Sequence, residues 1–269
     1  MIEWVHRIKP RAYTAVLFDF DGTVSVIRQG WQDIMYSYAV EVLLAAPHAE
    51  DEEAVWRLVR DFVDELTGKQ TIYQMIRLAD EVLQRGGQPL DPLAYKHEYL
   101  RRLWDRIEHR VADLEAGRAD PDDWMVPHTR QLLEALRSRG LTLYLASGTD
   151  EQYVKNEAAA LGVTAYFDGG IYGALDDYQN FSKAQVIAKL IADNSVAGSE
   201  LLGFGDGFVE IENVKEVGGT AVGVASDEEK RSGMDGWKRE RLLKAGADVI
   251  VGDYREQETL LSGLLLERK

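Results

Sequence analysis

Val16-Leu17-Phe18-Asp19-Phe20-Asp21-Gly22-Thr23, VLFDFDGT, runs an apolar stretch into two aspartates one residue apart and then into an Asp-Gly turn. Residues 14–19 read as a short buried strand that this turn ends. A buried strand that stops at paired carboxylates puts charge at one edge of a sheet. The remainder of the chain tells which sheet it is.

From Pro127 onward, strand and helix patterns alternate. Helix 128–139 ends at Gly140, and strand 141–146 (LTLYLA) and helix 151–161 follow. A short strand near 164–167 leads into a Gly-rich turn. Then come helix 183–193 with Ser182 as its cap, strand 201–205 (LLGFG), helix 209–217 and strand 220–225. A strand at 247–251 precedes a C-terminal helix. Strands that are apolar on both faces and alternate with helices predict a parallel sheet covered by helices, a Rossmann-like α/β core.

The first strand belongs to that sheet, yet residues 25 to about 125 read as all-helical. Trp31, Ile34, Met35, Tyr38 and Val42 recur at helical spacing. Asp51 is placed to cap a second helix, with Ala54, Val55, Leu58, Val59, Phe62, Val63 and Leu66 on one stripe. A third helix covers Ile72 to Leu83. A fourth runs from Pro92 to Ala116, with Tyr99, Leu100, Leu103, Trp104, Ile107, Val111 and Leu114 inward, and GRADPDD at 117–123 is a linker. The expected organisation is a core of 1–24 with 126–269, and an inserted helical domain at 25–125.

The 269 residues are 45% hydrophobic and 29% charged, which suits a globular protein with a sizeable core. A net charge of -15 argues against nonspecific binding to nucleic acid or anionic membrane. Arg101-Arg102 and Lys238-Arg239 are mixed with acids and read as solvated helix faces. There is no cysteine, which removes disulfides, thiolate zinc sites and cysteine nucleophiles and fits a cytoplasmic location. The apolar tail LLSGLLL at 260–266 falls well short of the roughly 20 residues a membrane span needs. The five histidines show no metal-binding spacing, and Trp31, Trp56 and Trp104 read as core of the helical domain.

Ligands of open parallel sheets bind beyond the carboxyl ends of the strands. There the chain places Asp19 and Asp21, then Ser147-Gly148-Thr149, then Asp206-Gly207 with Glu210 four residues on, while Lys183 opens a helix. Asp19 and Asp206 are oxygen donors of the kind Mg²⁺ prefers. Asp19 is placed as a nucleophile toward phosphorus, and Asp21 as a general acid and then base. Ser147 and the N–H groups of Gly148 and Thr149, read as a helix N-terminus, suit phosphate. Lys183 supplies positive charge where a transferring phosphoryl group gathers negative charge.

This set resembles the haloacid dehalogenase superfamily. The motifs are DFDGT at 19–23, SGT at 147–149, Lys183 and GDGFVE at 205–210. The resemblance implies a phosphoaspartyl intermediate on Asp19, and Mg²⁺ held by Asp19, the main-chain carbonyl of Asp21 and Asp206. Glu210 stands where a second aspartate is common and is expected to orient the metal's water. Thr23 joins Ser147, Gly148 and Thr149 as a phosphate ligand. The inserted helical block looks like the cap of many members, closing over the site, and its TGKQT at 67–71 resembles a specificity loop, which nominates Lys69 for substrate binding. Asp21 points to phosphate esters, since dehalogenases of the superfamily lack an acid there and phosphonoacetaldehyde hydrolases carry a small residue. The expectation is a Mg²⁺-dependent phosphomonoesterase acting on a small phosphorylated metabolite. The alternatives are a phosphosugar mutase of the beta-phosphoglucomutase type and a noncatalytic phospholigand-binding protein. Tyr172 and Tyr178 flank an acidic, Gly-rich segment near this edge and receive no role.

Overall fold

The structure, a computed structural model, describes residues 1–175, 182–194 and 196–266. Tyr178 therefore lies outside the described residues. Among these residues seven strands form one sheet: β1 (Ile2–Trp4), β2 (Ala15–Phe18), β3 (Thr142–Asp150), β4 (Gly170–Ala174), β5 (Leu201–Gly205), β6 (Thr220–Val224) and β7 (Val249–Val251). Their order is β1-β7-β6-β5-β2-β3-β4. Every pairing is parallel except that of β1 with β7. The fold is the Rossmann-like α/β architecture, and every residue of β2, β5 and β6 is buried, as a sheet covered on both faces requires.

β2 lies between β3 and β5, with Phe18 opposite both Leu145 and Phe204. The chain leaves β2 toward β3 on one side and fills β5 on the other. That reversal is the point where open α/β sheets leave a crevice at the strand ends. Side chains alternate across the sheet. Ala15 and Leu17 pack with Val186, Ile187 and Leu190 on one side. Phe18 faces the other way, stacked on Phe204 at 4.7 Å and edge-on to Phe167.

Four helices follow β2: α1 (Trp31–Leu44), α2 (Glu52–Leu66), α3 (Thr71–Gln84) and α4 (Pro92–Glu115). Six more alternate with the later strands: α5 (Thr129–Ser138), α6 (Glu151–Ala160), α7 (Lys183–Asn194), α8 (Phe208–Glu216), α9 (Gly236–Lys244) and α10 (Gln257–Leu264). The chain divides into two compact units, Met1–Gln29 with Arg110–Lys269, and Gly30–His109. The division falls at 29/30 and 109/110, inside the expected 25 and 125, and the hydrogen bonds show why. Val26 N–H donates to Trp124 O (2.9 Å) and Val126 N–H to Val24 O (3.1 Å). The outgoing and returning strands of chain are thus tied to each other within the sheet-bearing unit. In the helical unit Asp51 caps α2, accepting from Ala54 N–H at 2.9 Å.

Four local readings change. Residues Thr164–Tyr166 form a 3₁₀ turn, and the edge strand comes at Gly170–Ala174 instead, where a Gly-rich turn was expected. Gly169 lies against the Tyr144 ring, an approach that only a residue without Cβ allows. Trp104 is exposed, because one residue past Leu103 turns a side chain about 100° off the buried stripe. β1 and α9 carried no periodic apolar signal, and α9 is a charged helix, GWKRERLLK. No described helix is long and apolar enough to cross a membrane.

Candidate active site

Asp19 prolongs β2. Its N–H donates to Phe204 O at 2.9 Å, so the ladder to β5 holds the residue in register. Its carboxylate is buried and accepts from Phe20 N–H at 2.8 Å. The chain then turns, with Val24 and Ser25 N–H both bonded to Phe20 O and Gly22 N–H to Ser25 O. Gly22 has φ of 71°, and the space its Cβ would fill is taken by the Asp206 carboxylate and, at 2.9 Å, by Lys238 Nζ. Only glycine satisfies both the left-handed turn and that contact.

The turn separates the two aspartates chemically. Asp21 is partly open to solvent, and its Oδ2 accepts from Thr149 Oγ1 at 2.8 Å and from Ser147 Oγ at 3.4 Å. Asp19 is dry, with Lys183 Nζ at 2.9 Å from Oδ1. Burial pushes the Asp19 carboxyl up to about 6; Lys183 opposes this, and the negative charges of Asp206 and Asp21 add to it. The negative charges of Asp206 and Asp21 thus both bear on Asp19.

Lys183 is the first residue of α7, and Ser182 caps that helix through Gln185 N–H at 3.1 Å. Its ammonium also pairs with Glu210 Oε1, from the first turn of α8. Gly205 makes room for this, since a Cβ there would lie 2.6 Å from Glu210 Cβ. Glu210 was expected beside a metal; its observed partner is Lys183. Ser147, Gly148 and Thr149 are the last part of β3, which runs through Asp150, and not a helix N-terminus. α6 begins only at Glu151. Their position still faces Asp21 through the two hydroxyls. Thr23 is buried and its Oγ1 makes no hydrogen bond among the described residues, and neither do Asp21 Oδ1 and Glu210 Oε2. Lys69 belongs to the helical unit, exposed between α2 and α3, with its N–H on Leu66 O at 3.0 Å. Tyr172, on the edge strand β4, donates its hydroxyl to Gly169 O at 3.2 Å.

The sequence reading missed a layer of groups around these residues. Arg28 is buried, joined to Glu157 through Nε and Nη2 (3.0 and 2.6 Å), lies over the Tyr153 ring and approaches Asp21 Oδ1 at 3.7 Å. Ser226 donates to Gly22 O at 2.6 Å and Tyr254 to Thr23 O at 2.9 Å, so both carbonyls of the turn are held from the C-terminal part of the sheet. Burial, with Asp206 and Asp19 nearby, holds the Tyr254 hydroxyl far above its ordinary value, so it stays a donor. Lys238 was read as solvated and is buried, paired with Asp206 at 2.8 Å and Glu228 at 2.7 Å. Burial lowers its proton affinity, but the two carboxylates outweigh that and the ammonium is held above its ordinary value.

Among the described residues no three His, Cys, Asp or Glu side chains are grouped as a cation site. The implied set needs only two side chains, Asp19 and Asp206, with a main-chain oxygen as the third donor. It fits a hard divalent cation on two observations. All its donors are oxygens. Its carboxylates repel one another through Asp19, a repulsion that a cation between them would relieve.

The chain matches the family model of haloacid dehalogenase-like hydrolases over residues 13–218. The chain belongs to the haloacid dehalogenase-like hydrolases. A phosphoglycolate phosphatase of Escherichia coli is 29% identical over 215 residues, 78% of this chain and 80% of the relative. One from Salmonella paratyphi A is 28% identical over the same share of each. Among solved structures, a haloacid dehalogenase-like protein of Streptococcus pneumoniae superposes with a TM-score of 0.59 at 19% identity, covering 92% of this chain and 98% of its own. A beta-phosphoglucomutase of Clostridium difficile gives 0.59 at 17% identity, covering 93% and 96%. At these identities the two structures speak for the fold. The matched segment stops at 218, so Ser226, Glu228, Lys238 and Tyr254 come from beyond it.

Proposed function

We propose that this hydrolase is a Mg²⁺-dependent phosphomonoesterase for a small phosphorylated metabolite, working through a phosphoaspartyl intermediate on Asp19. The observation that carries the reading is the contrast between the two aspartates. Asp19 is dry and set against Lys183, as a nucleophile needs; Asp21 is open and hydrogen-bonded, as a proton carrier needs. Asp19 attacks phosphorus, the ester P–O bond breaks, and Asp21 gives its proton to the departing oxygen. Asp21 then takes a proton from water as that water attacks phosphorus, which releases inorganic phosphate and restores Asp19. Lys183 offsets the charge on Asp19 and on the phosphoryl oxygens, while Thr23, Ser147, Gly148 and Thr149 supply phosphate hydrogen bonds. Asp19, Asp206 and the Asp21 carbonyl would hold Mg²⁺, with Glu210 as a further acid nearby. Bound Mg²⁺ would supply neutralisation of phosphate charge.

The unit Gly30–His109, extended to the 25–125 block of the sequence reading, is proposed as the substrate-selecting cap, with Lys69 its candidate substrate contact. Phosphoglycolate heads the substrate panel because the curated relatives carry that activity in their names. A cytoplasmic location is part of the same proposal, in keeping with the cysteine-free composition. The mutase alternative is not favoured: the sequence relatives reported above are named phosphatases, and the mutase reported above is a fold-level neighbour. Release of inorganic phosphate from phosphoglycolate, sugar phosphates, nucleotides and an aryl phosphate, with Mg²⁺ and with EDTA, tests the proposal. Metal-dependent release that Asp19→Asn abolishes is expected. Folded wild type that releases no phosphate from any of them overturns it.

A further inference from the structure

Lys238 opens a second question at the same edge. It sits in the first turn of α9, where Asp235 caps the helix by accepting Lys238 N–H at 2.7 Å. The side chain runs inward, and its ammonium meets three oxygens: Glu228 Oε1 at 2.7 Å, Asp206 Oδ2 at 2.8 Å and Ser226 Oγ at 3.2 Å. Glu228 is 16% exposed and Asp206 21%, so both carboxylates lie largely out of water. Lys183, the lysine of the sequence motif, is engaged elsewhere with Asp19 and Glu210. Asp206 thus has its own dedicated ammonium, and that ammonium has its own second carboxylate.

We propose that Lys238 and Glu228 set the affinity of Asp206 for a divalent cation. Lys238 is a tethered cation that occupies Asp206 and so competes with the metal. Glu228 is the carboxylate that keeps the ammonium when the metal takes Asp206. The inference rests on the reading of Asp206 as a metal ligand. Its physical basis is simple: two positive charges share one carboxylate at the cost of their repulsion, and a second carboxylate 2.7 Å from the ammonium offsets it. Through Ser226, which bonds both Lys238 and Gly22 O, the same ammonium is linked to the nucleophile's turn. Lys238 is a positioning residue on this view, since it acts through Asp206.

The opposite signs of two substitutions test it. Mn²⁺ binding to the full chain without substrate is followed by electron paramagnetic resonance of the free ion, with Asp206→Asn marking the site counted. Lys238→Met removes the competitor and is expected to tighten Mn²⁺ binding on the order of tenfold. Glu228→Gln leaves Lys238 committed to Asp206 and is expected to weaken binding several-fold. Lys238→Arg keeps the charge and should stay near wild type. A merely structural role for the cluster would weaken binding in both neutral variants. Folded Lys238→Met with unchanged or weaker binding overturns the proposal; if that variant does not fold, Glu228→Gln decides, and unchanged or tighter binding there overturns it. Wild type without a site that Asp206→Asn removes overturns the metal reading itself. A wild-type site with variants shifted the wrong way overturns this inference alone.

Discussion

Two buried lysines face two aspartates at one sheet edge, and each has a glutamate behind it. Lys183 joins Asp19 to Glu210; Lys238 joins Asp206 to Glu228. The pairs look alike in composition and differ in what they touch. Lys183 meets the carboxylate proposed to attack phosphorus, and its own proposed role is toward the reacting group. Of the two aspartates, Lys238 meets only Asp206, the one proposed solely to hold metal, and it reaches the turn after Asp19 through Ser226. On the proposed reading, similar ion pairs serve different ends, one chemical and one positional.

The sharpest way to break that distinction is to neutralise each lysine. Lys183→Met should lower kcat by about 10³-fold, in line with losing one preorganised electrostatic group at a transition state. Its thermal unfolding should show the fold intact. Steady-state kinetics that find Lys183→Met as active as wild type would erase the difference between the pairs.

A second substitution tests whether the turn joins the two halves. Gly22→Ala imposes a side chain at φ of 71° and drives it into the Asp206 carboxylate. Loss of about 2 kcal/mol of stability is expected from strain and displacement together. Urea unfolding measures it, and a neutral result would mean that Asp206 moves aside freely.

The smallest effect concerns Asp19 alone. Its carboxyl, raised above 3.8 to about 6 by burial, holds its proton in the folded state at pH values where the unfolded chain has lost it. The folded state binds more protons in that window, so metal-free stability falls as pH rises from about 4 to 6 and stays lower above. Asp19→Asn should then raise Tm in EDTA at pH 7.5 by about 4 °C, with the gain fading toward pH 4. A gain independent of pH would assign it to something other than this carboxyl.

The comparison also marks how far the sequence could be read. Asp19, Ser147 and Asp206 stood out because each follows an apolar strand, and a strand end is a place sequence periodicity can locate. Lys183 stood out because a capping serine starts its helix. Lys238 carried no such signal: in WKRERLLK it looks like any solvated charge, and only the fold of β6, β7 and α9 buries it. Arg28 with Glu157, 129 residues apart, and Tyr254 with Thr23, 231 apart, were beyond local pattern for the same reason. The misplaced edge strand failed differently, because glycines at 169, 170 and 173 read as a turn while the pairing with β3 made them a strand. Trp104 failed by a single step around its helix.

The two hydroxyls under the turn have a consequence for how this chain is divided and recombined. Ser226 and Tyr254 hold Gly22 O and Thr23 O, some 200 residues back along the chain. A fragment ending at 218 would contain every recognisable motif but neither of the hydroxyls that hold the two carbonyls of the turn after Asp19. The last fifty residues are thus not an exchangeable tail. In a chimaera with a relative, residues 19–25 and 226–254 have to travel together, because they are two halves of one clasp.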